Sequence, residues 1–106
     1  MGLFNLWKKT DFHQGIKEYA QSEGALLLDV RSPQEYKSGH IPGSYNLPLK
    51  RIAEVGSVAE SKEAKLFVYC QSGARSRQAA AALRRMGYMN VKNIGGMASY
   101  KGRVVK

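Results

Sequence analysis

Residues 66–76 read Leu66-Phe67-Val68-Tyr69-Cys70-Gln71-Ser72-Gly73-Ala74-Arg75-Ser76, and their order predicts a buried strand, a tight loop and the start of a helix. The only cysteine of the chain stands where this strand ends. The first turn of a helix leaves backbone N–H groups unpaired and carries partial positive charge. A loop that leads into such a turn can surround an anion with amides, so we expect Cys70 to ionise more easily than a free thiol.

Four residues separate Cys70 from Arg75, and this strand, loop and helix resemble the active-site loop of the rhodanese family. Three other segments resemble motifs of that family in the same order along the chain. They are the strand end Leu27–Arg31, the Gly-His-Ile-Pro-Gly segment within Glu35–Ser44, and Gly95-Gly96-Met97. The resemblance runs from about Ala25 to the end of the chain. It implies the rhodanese fold, which has a five-stranded parallel core flanked by helices.

Hydrophobic patterning predicts the same α/β class. A helical pattern begins at Asp11, with Thr10 or Asp11 as its cap, and short apolar strands alternate with helical segments after it. Four further helices are predicted: from Ser32 to Gly39, within Pro48–Glu60, from Arg75 to about Met86 and around Met97–Lys101. The predicted strands are Ala25–Leu28, Tyr45–Leu47, Leu66–Tyr69, Asn90–Ile94 and Arg103–Val105. We therefore expect one domain over residues 1–106, with about five mostly parallel strands and helices on both faces of the sheet.

Charge and composition limit the classes of partner and of cysteine site that the chain can have. The net charge of +9 comes from 17 basic and 8 acidic residues, which suits nucleic-acid binding or the attraction of small anions. The basic residues are scattered and accompany no nucleic-acid recognition signature, so we favour small anions and expect no nucleic-acid partner. A lone cysteine excludes an internal disulfide and two-cysteine zinc motifs, and it suits a reducing compartment.

The start of the chain gives no clear signal. Gly2–Trp7 is compatible with an edge strand, a short helix or a weak interfacial anchor. The charges of Lys8 and Lys9 follow the apolar residues, which is the wrong order for a signal peptide, and no apolar run is long enough to span a bilayer. We therefore expect a cytoplasmic protein with no membrane partner.

The resemblance also implies a chemistry, namely sulfur transfer by double displacement. Cys70 would take the sulfane sulfur of a small anionic donor such as thiosulfate, hold it as a persulfide, and pass it to a thiol, a protein or, in vitro, cyanide. The substrate would be bound by the loop residues Gln71, Ser72, Gly73, Ala74, Arg75 and Ser76. Asp29 and Arg31 would support the loop as a salt-bridged brace, and Glu35 is a further candidate member of that brace. Arg75 would either bind the donor or anchor the loop. No metal or organic cofactor is required.

Two other functions remain open. Cysteine phosphatases and arsenate reductases that share this fold also combine a cysteine, an amide loop and an arginine. Their loop has five residues between cysteine and arginine, whereas this one has four and forms a smaller cradle. The domain could instead be a sulfur carrier or partner-binding module with little turnover of its own.

Overall fold

The computed structural model describes residues 11–106, so the expectations for Gly2–Trp7 and for Thr10 as a cap concern residues outside the described part of the chain. The elements follow one another as α1 (Phe12–Gln21), β1 (Leu26–Asp29), α2 (Pro33–Ser38), β2 (Tyr45–Asn46), a 3₁₀ helix (Leu49–Ser57), β3 (Lys65–Cys70), α3 (Ala74–Arg85) and β4 (Asn90–Gly96). The predicted alternation of strands and helices is confirmed.

The sheet is parallel throughout, with the strand order β2-β1-β3-β4. β1 and β3 lie at its centre, which explains their nearly continuous apolar sequences, because a central parallel strand is covered on both faces. Residues 11–106 contain four strands, one fewer than we expect from the sequence. The segment Arg103–Val105 forms no strand of this sheet, because Val105 pairs its backbone with His40 in a single antiparallel bridge instead.

Helices cover both faces of the sheet, and alternate residues of β3 point to opposite faces. Leu66, Val68 and Cys70 belong to one apolar cluster, which includes Leu83 of α3 and Val55 of the 3₁₀ helix. The neighbouring side chains of β3, Phe67 and Tyr69, belong to a second cluster with Phe12 of α1. The Cys70 side chain therefore lies on the side of the sheet that α3 covers.

Three elements differ from the predictions. The helix predicted within Pro48–Glu60 is a 3₁₀ helix, interrupted at Arg51, whose φ of −113° and ψ of 20° are not helical. β4 continues two residues past the predicted end, to Gly96. No helix forms at Met97–Lys101: Ala98 and Ser99 form a turn, closed by a hydrogen bond from the Tyr100 amide to the Met97 carbonyl. The amides of Met97 and Ala98 donate to the carbonyl groups of Cys70 and Gln71 and hold this turn beside the loop.

Local signals at the helix starts are confirmed. Asp11 caps α1 by accepting a hydrogen bond from the His13 amide. Ser32 and Glu35 form a reciprocal capping box at the start of α2, with Pro33 in the first turn. None of the helices within residues 11–106 is long and apolar enough to cross a bilayer.

Candidate active site

The sulfur of Cys70 sits in a cradle of main-chain amides at the carboxyl end of β3. Its Sγ accepts hydrogen bonds from the Gly73 amide at 2.9 Å and the Ser76 amide at 3.4 Å. Gly73 has a φ of 102°, a conformation that glycine adopts without strain from a Cβ atom. This backbone turn brings the loop round the sulfur and leads directly into α3.

The cradle lowers the pKa of the Cys70 thiol. Burial, which is complete for this residue, raises that pKa and is the largest single influence. Hydrogen bonds from the Ser76 hydroxyl and from the amides of Ser76, Gly73 and Ser72 together outweigh it. The net effect favours the thiolate, which is the nucleophilic form of cysteine.

Arg75 pairs with Glu35 of α2 and does not point freely at the sulfur. Its Nη1 and Nη2 donate to Oε1 and Oε2 of Glu35 at 2.6 and 3.0 Å. Of the two roles that the sequence leaves open for Arg75, this geometry matches the loop anchor, because it ties the start of α3 to α2. Glu35 therefore braces Arg75, whereas the sequence suggests that it joins Asp29 and Arg31.

Asp29 and Arg31 form a buried ion pair beneath the loop, as expected of a brace. Arg31 donates through Nε and Nη2 to both carboxylate oxygens of Asp29, with the Nη2 contact at 2.8 Å. The remaining donors reach the Gly39 carbonyl at 2.7 Å and Oε1 of Gln71 at 3.3 Å. Arg31 thus joins the end of β1, the turn after α2 and the first residue of the loop.

The end of β4 forms the wall behind the loop. A bulge in its pairing with β3 lies between Val68 and Tyr69, and Asn93 accepts the Gly95 amide across it at 2.9 Å. A Cβ atom on Gly96 would overlap the Gln71 carbonyl oxygen and lie 2.7 Å from Cα of Ser72. Only a glycine at position 96 lets the loop lie this close to the strand.

A groove of about 720 Å³ lies beside the loop. Residues of the loop, of α3 and of the β4 end line it, among them Gln71–Ala74, Arg77 and Gly95-Gly96. Cys70 does not line this groove, and its sulfur is fully buried. The groove therefore leads to the loop and not directly to the sulfur.

Comparison with known proteins agrees with this geometry. The family model of the rhodanese-like domain matches residues 10–103. The chain belongs to the rhodanese-like family. A solved structure described as a rhodanese with anions from E. coli matches this rhodanese-like domain with a TM-score of 0.72 and 36% identity, over 77% of this chain and 98% of the other. The rhodanese-like fold that the sequence motifs imply is confirmed.

Two curated relatives of this rhodanese-like domain carry a named activity. It is 39% identical to the thiosulfate sulfurtransferase PspE of Escherichia coli (strain K12), over 66% of this chain and 68% of the relative. It is 38% identical to the thiosulfate sulfurtransferase GlpE of Pseudomonas syringae, over 82% of this chain and 84% of the relative.

The rhodanese-like domain brings all the predicted site residues to one end of the sheet. Cys70, Gly73 and Ser76 meet at the sulfur, and Asp29 and Arg31 reach the loop through Gln71. Gln71 and Ser72 are exposed, whereas Ser76 is buried. Sequence reasoning did not find that Glu35 pairs with Arg75, or that Gly96 lets the loop lie close to β4. The Gly95-Gly96 motif marks the position of Gly96 in the sequence.

Replacing Ser76 by alanine is expected to raise the pKa of Cys70, because it removes a hydroxyl that stabilises the thiolate and leaves the backbone amide. In the thiol form Cys70 donates to the Ser76 hydroxyl, 3.5 Å away, and that hydroxyl donates to the Gly73 carbonyl. The ultraviolet absorbance of the thiolate, followed against pH, measures the change. Less thiolate is then present at any given pH near the pKa.

Ser72→Ala is the matched control for Ser76→Ala. The Ser72 side chain is exposed, and within residues 11–106 its hydroxyl makes no hydrogen bond, so its loss leaves the cradle amides in place. We expect its titration curve to follow that of the wild type. Equal shifts in the two variants would contradict a specific role for the Ser76 hydroxyl.

Proposed function

We propose that this domain is a sulfurtransferase, which moves a sulfane sulfur from thiosulfate or a related donor to a thiophilic acceptor through a persulfide on Cys70. The observation that carries the proposal is the cradle of amides from Gly73 and Ser76 on the sulfur of the chain's only cysteine. Membership of the rhodanese-like family and the relatives named as thiosulfate sulfurtransferases support the same activity.

In the first step the Cys70 thiolate attacks the outer sulfur of thiosulfate. The S–S bond of the donor breaks, sulfite leaves with the bonding electron pair, and Cys70 carries a persulfide anion. In the second step a nucleophile attacks the outer sulfur of that persulfide, and the Cys70 thiolate leaves. Both steps are displacements at sulfur, and two displacements in this order should produce ping-pong kinetics.

The surrounding residues serve these steps in different ways. Amides of Ser72, Gly73 and Ser76 stabilise the negative charge that sits on sulfur in each state. The exposed Gln71 and Ser72 are the loop side chains that an entering donor meets. Ala74 opens α3, and Arg75, Asp29 and Arg31 fix the loop. A lone cysteine fits a reducing compartment such as the cytoplasm, where small thiols serve as acceptors.

A sulfur carrier is the second candidate function, and the complete burial of Cys70 favours it. A sulfur held beneath the loop is shielded from general nucleophiles, so a protein acceptor that opens the loop would receive it preferentially. The carrier would form the same persulfide and would differ only in how fast free acceptors remove it.

Intact mass spectrometry after brief exposure to thiosulfate, without reductant, tests the proposal. We expect a gain of one sulfur atom, its loss on adding cyanide, and the release of thiocyanate. A persulfide that forms but resists cyanide would favour the carrier. No gain from thiosulfate or from a persulfide donor, in folded protein with a free thiol, would contradict both functions.

A further inference from the structure

We propose that Glu35 sets the donor specificity of the Cys70 site, because its ion pair with Arg75 makes the loop select an alkyl hydropersulfide, which reacts as a neutral molecule, over the thiosulfate dianion. This inference rests on the sulfurtransferase function proposed above and concerns which donor that function uses. It assigns to Glu35, a residue of α2 that touches neither the sulfur nor the loop amides, the role of a specificity-determining residue.

The first argument is the position of Arg75. Arg75 immediately precedes Ser76, whose amide donates to the Cys70 sulfur at 3.4 Å. The charge of the thiolate also contributes to the raised pKa of Arg75, after the larger effect of the hydrogen bonds to Glu35. Arg75 is thus a cation close to the loop that a donor's negative charge can meet. Both Arg75 and Glu35 are about one-third exposed, so an incoming anion can approach the pair.

The second argument is that Glu35 is held in place independently of Arg75. Its Oε1 also accepts the Ser32 amide at 3.0 Å as part of the capping box of α2. The hydrogen bonds from Arg75 lower the pKa of Glu35 to about 2, although burial opposes them, so the carboxylate stays charged throughout the physiological range. Arg75 therefore faces a fixed negative charge.

The third argument is the charge balance around the loop. Arg31, the other guanidinium that contacts the loop, is paired with the buried carboxylate of Asp29. Each of these two cations is thus matched by one carboxylate. The loop amides converge on a single sulfur atom. Arg77 lines the neighbouring groove, which Cys70 does not line. A second negative charge, on the sulfonate end of thiosulfate, therefore finds no free cation in the Arg75–Glu35 and Arg31–Asp29 pairs.

The two donors load the same sulfur by balanced steps. With thiosulfate, the thiolate displaces sulfite, and the site must accommodate a dianion and release a dianion. With an alkyl hydropersulfide, R–S–SH, the thiolate attacks the outer sulfur and displaces R–S⁻. That thiolate takes up the persulfide proton, leaving R–SH and the Cys70 persulfide anion. The second route never brings two extra charges next to Glu35.

Glu35→Gln is a sharp test, because glutamine also serves in a capping box and keeps α2 intact. The change removes the negative charge and places an amide NH₂ against one side of the Arg75 guanidinium, which frees that cation. We expect the ratio of kcat/KM for thiosulfate to kcat/KM for a short alkyl hydropersulfide, which carries no other charge, to rise by about two- to fivefold, the size of effect measured for solvent-exposed charge pairs. In the wild type the hydropersulfide is expected to give the higher kcat/KM.

Glu54→Gln is the matched control, because Glu54 forms a similar paired contact with Arg51, in the 3₁₀ helix and away from the loop. It changes the net charge equally and should leave the ratio unchanged. In the double variant Glu35→Gln/Arg75→Gln the rise in the ratio of the two kcat/KM values should disappear. Taking the ratio of two donors cancels any general loss of activity from disturbing the loop.

Each outcome separates this inference from the proposed function. If both donors load Cys70 but Glu35→Gln leaves the ratio unchanged or lowers it, the inference is wrong and the sulfurtransferase function stands. An equal rise in Glu54→Gln, or a wild type that prefers thiosulfate, also contradicts the inference. If neither donor adds sulfur to the wild type, the proposed function itself fails.

Discussion

Cys70→Ser is expected to reduce sulfur transfer by at least about 1,000-fold, because a serine hydroxyl does not ionise at neutral pH and no second cysteine can take its place. The substitution is nearly isosteric, so the amides of Gly73 and Ser76 can still hydrogen-bond the oxygen. Thiocyanate release from thiosulfate and cyanide measures the turnover. The loss should appear in kcat, while the domain stays folded.

A stability measurement must accompany the Cys70→Ser assay, since Cys70 belongs to the apolar cluster beneath α3. We expect the thermal unfolding midpoint to move by only a few degrees, because the change removes little volume. Turnover of a few per cent or more in the purified variant would mean that sulfur is transferred without a cysteine persulfide. In that case the proposed mechanism would be wrong even if the activity were real.

Gly96→Ala is expected to lower kcat by about 100-fold, because the added methyl group collides with loop backbone and moves the amides away from the sulfur. Backbone strain does not contribute, since Gly96 has no positive φ. Gly96 acts through the loop and is a positioning residue. The pKa of Cys70 should therefore rise along with the loss of kcat, and titration of the thiolate absorbance detects this change.

Alanine variants at two other glycines are controls that distinguish displacement of the loop from a general loss of stability. Gly15→Ala places a methyl group 2.6 Å from Cγ2 of Ile94, so it overpacks the core between α1 and β4 and should cost about 1–3 kcal/mol of stability. Gly56→Ala meets no atom within 4 Å. Neither should alter the Cys70 pKa. A raised pKa in Gly15→Ala would show that the cradle responds to any loss of stability.

Sequence reasoning worked where the signal is local. The apolar run that ends at Cys70, the capping box at Ser32 and the loop that opens α3 all appear in the structure, because each depends on residues within a few positions of one another. The fold class follows from the same signals, since parallel strands and helices must alternate.

Contacts between distant segments could not be read from the sequence. Glu35 and Arg75 are 40 residues apart, and nothing in either neighbourhood shows that they pair. The helix predicted at Met97–Lys101 has acceptable composition, yet a turn at Ala98 and Ser99 stands in its place, and the amides of Met97 and Ala98 donate to the carbonyls of Cys70 and Gln71. This contact between distant segments brings the loop against Gly96, which is why Gly96 must lack a side chain.

The cradle around Cys70 is built from main-chain N–H groups, which every residue except proline provides. Its anion-binding capacity is thus a property of the backbone path, set by Gly73, Gly96 and the anchors on either side. The exposed side chains at positions 72 and 74 can therefore change without loss of the cradle, whereas the side chain of Gln71 carries the contact to Arg31. Paralogues and engineered libraries can explore new donors and acceptors by varying these two positions on an unchanged catalytic frame.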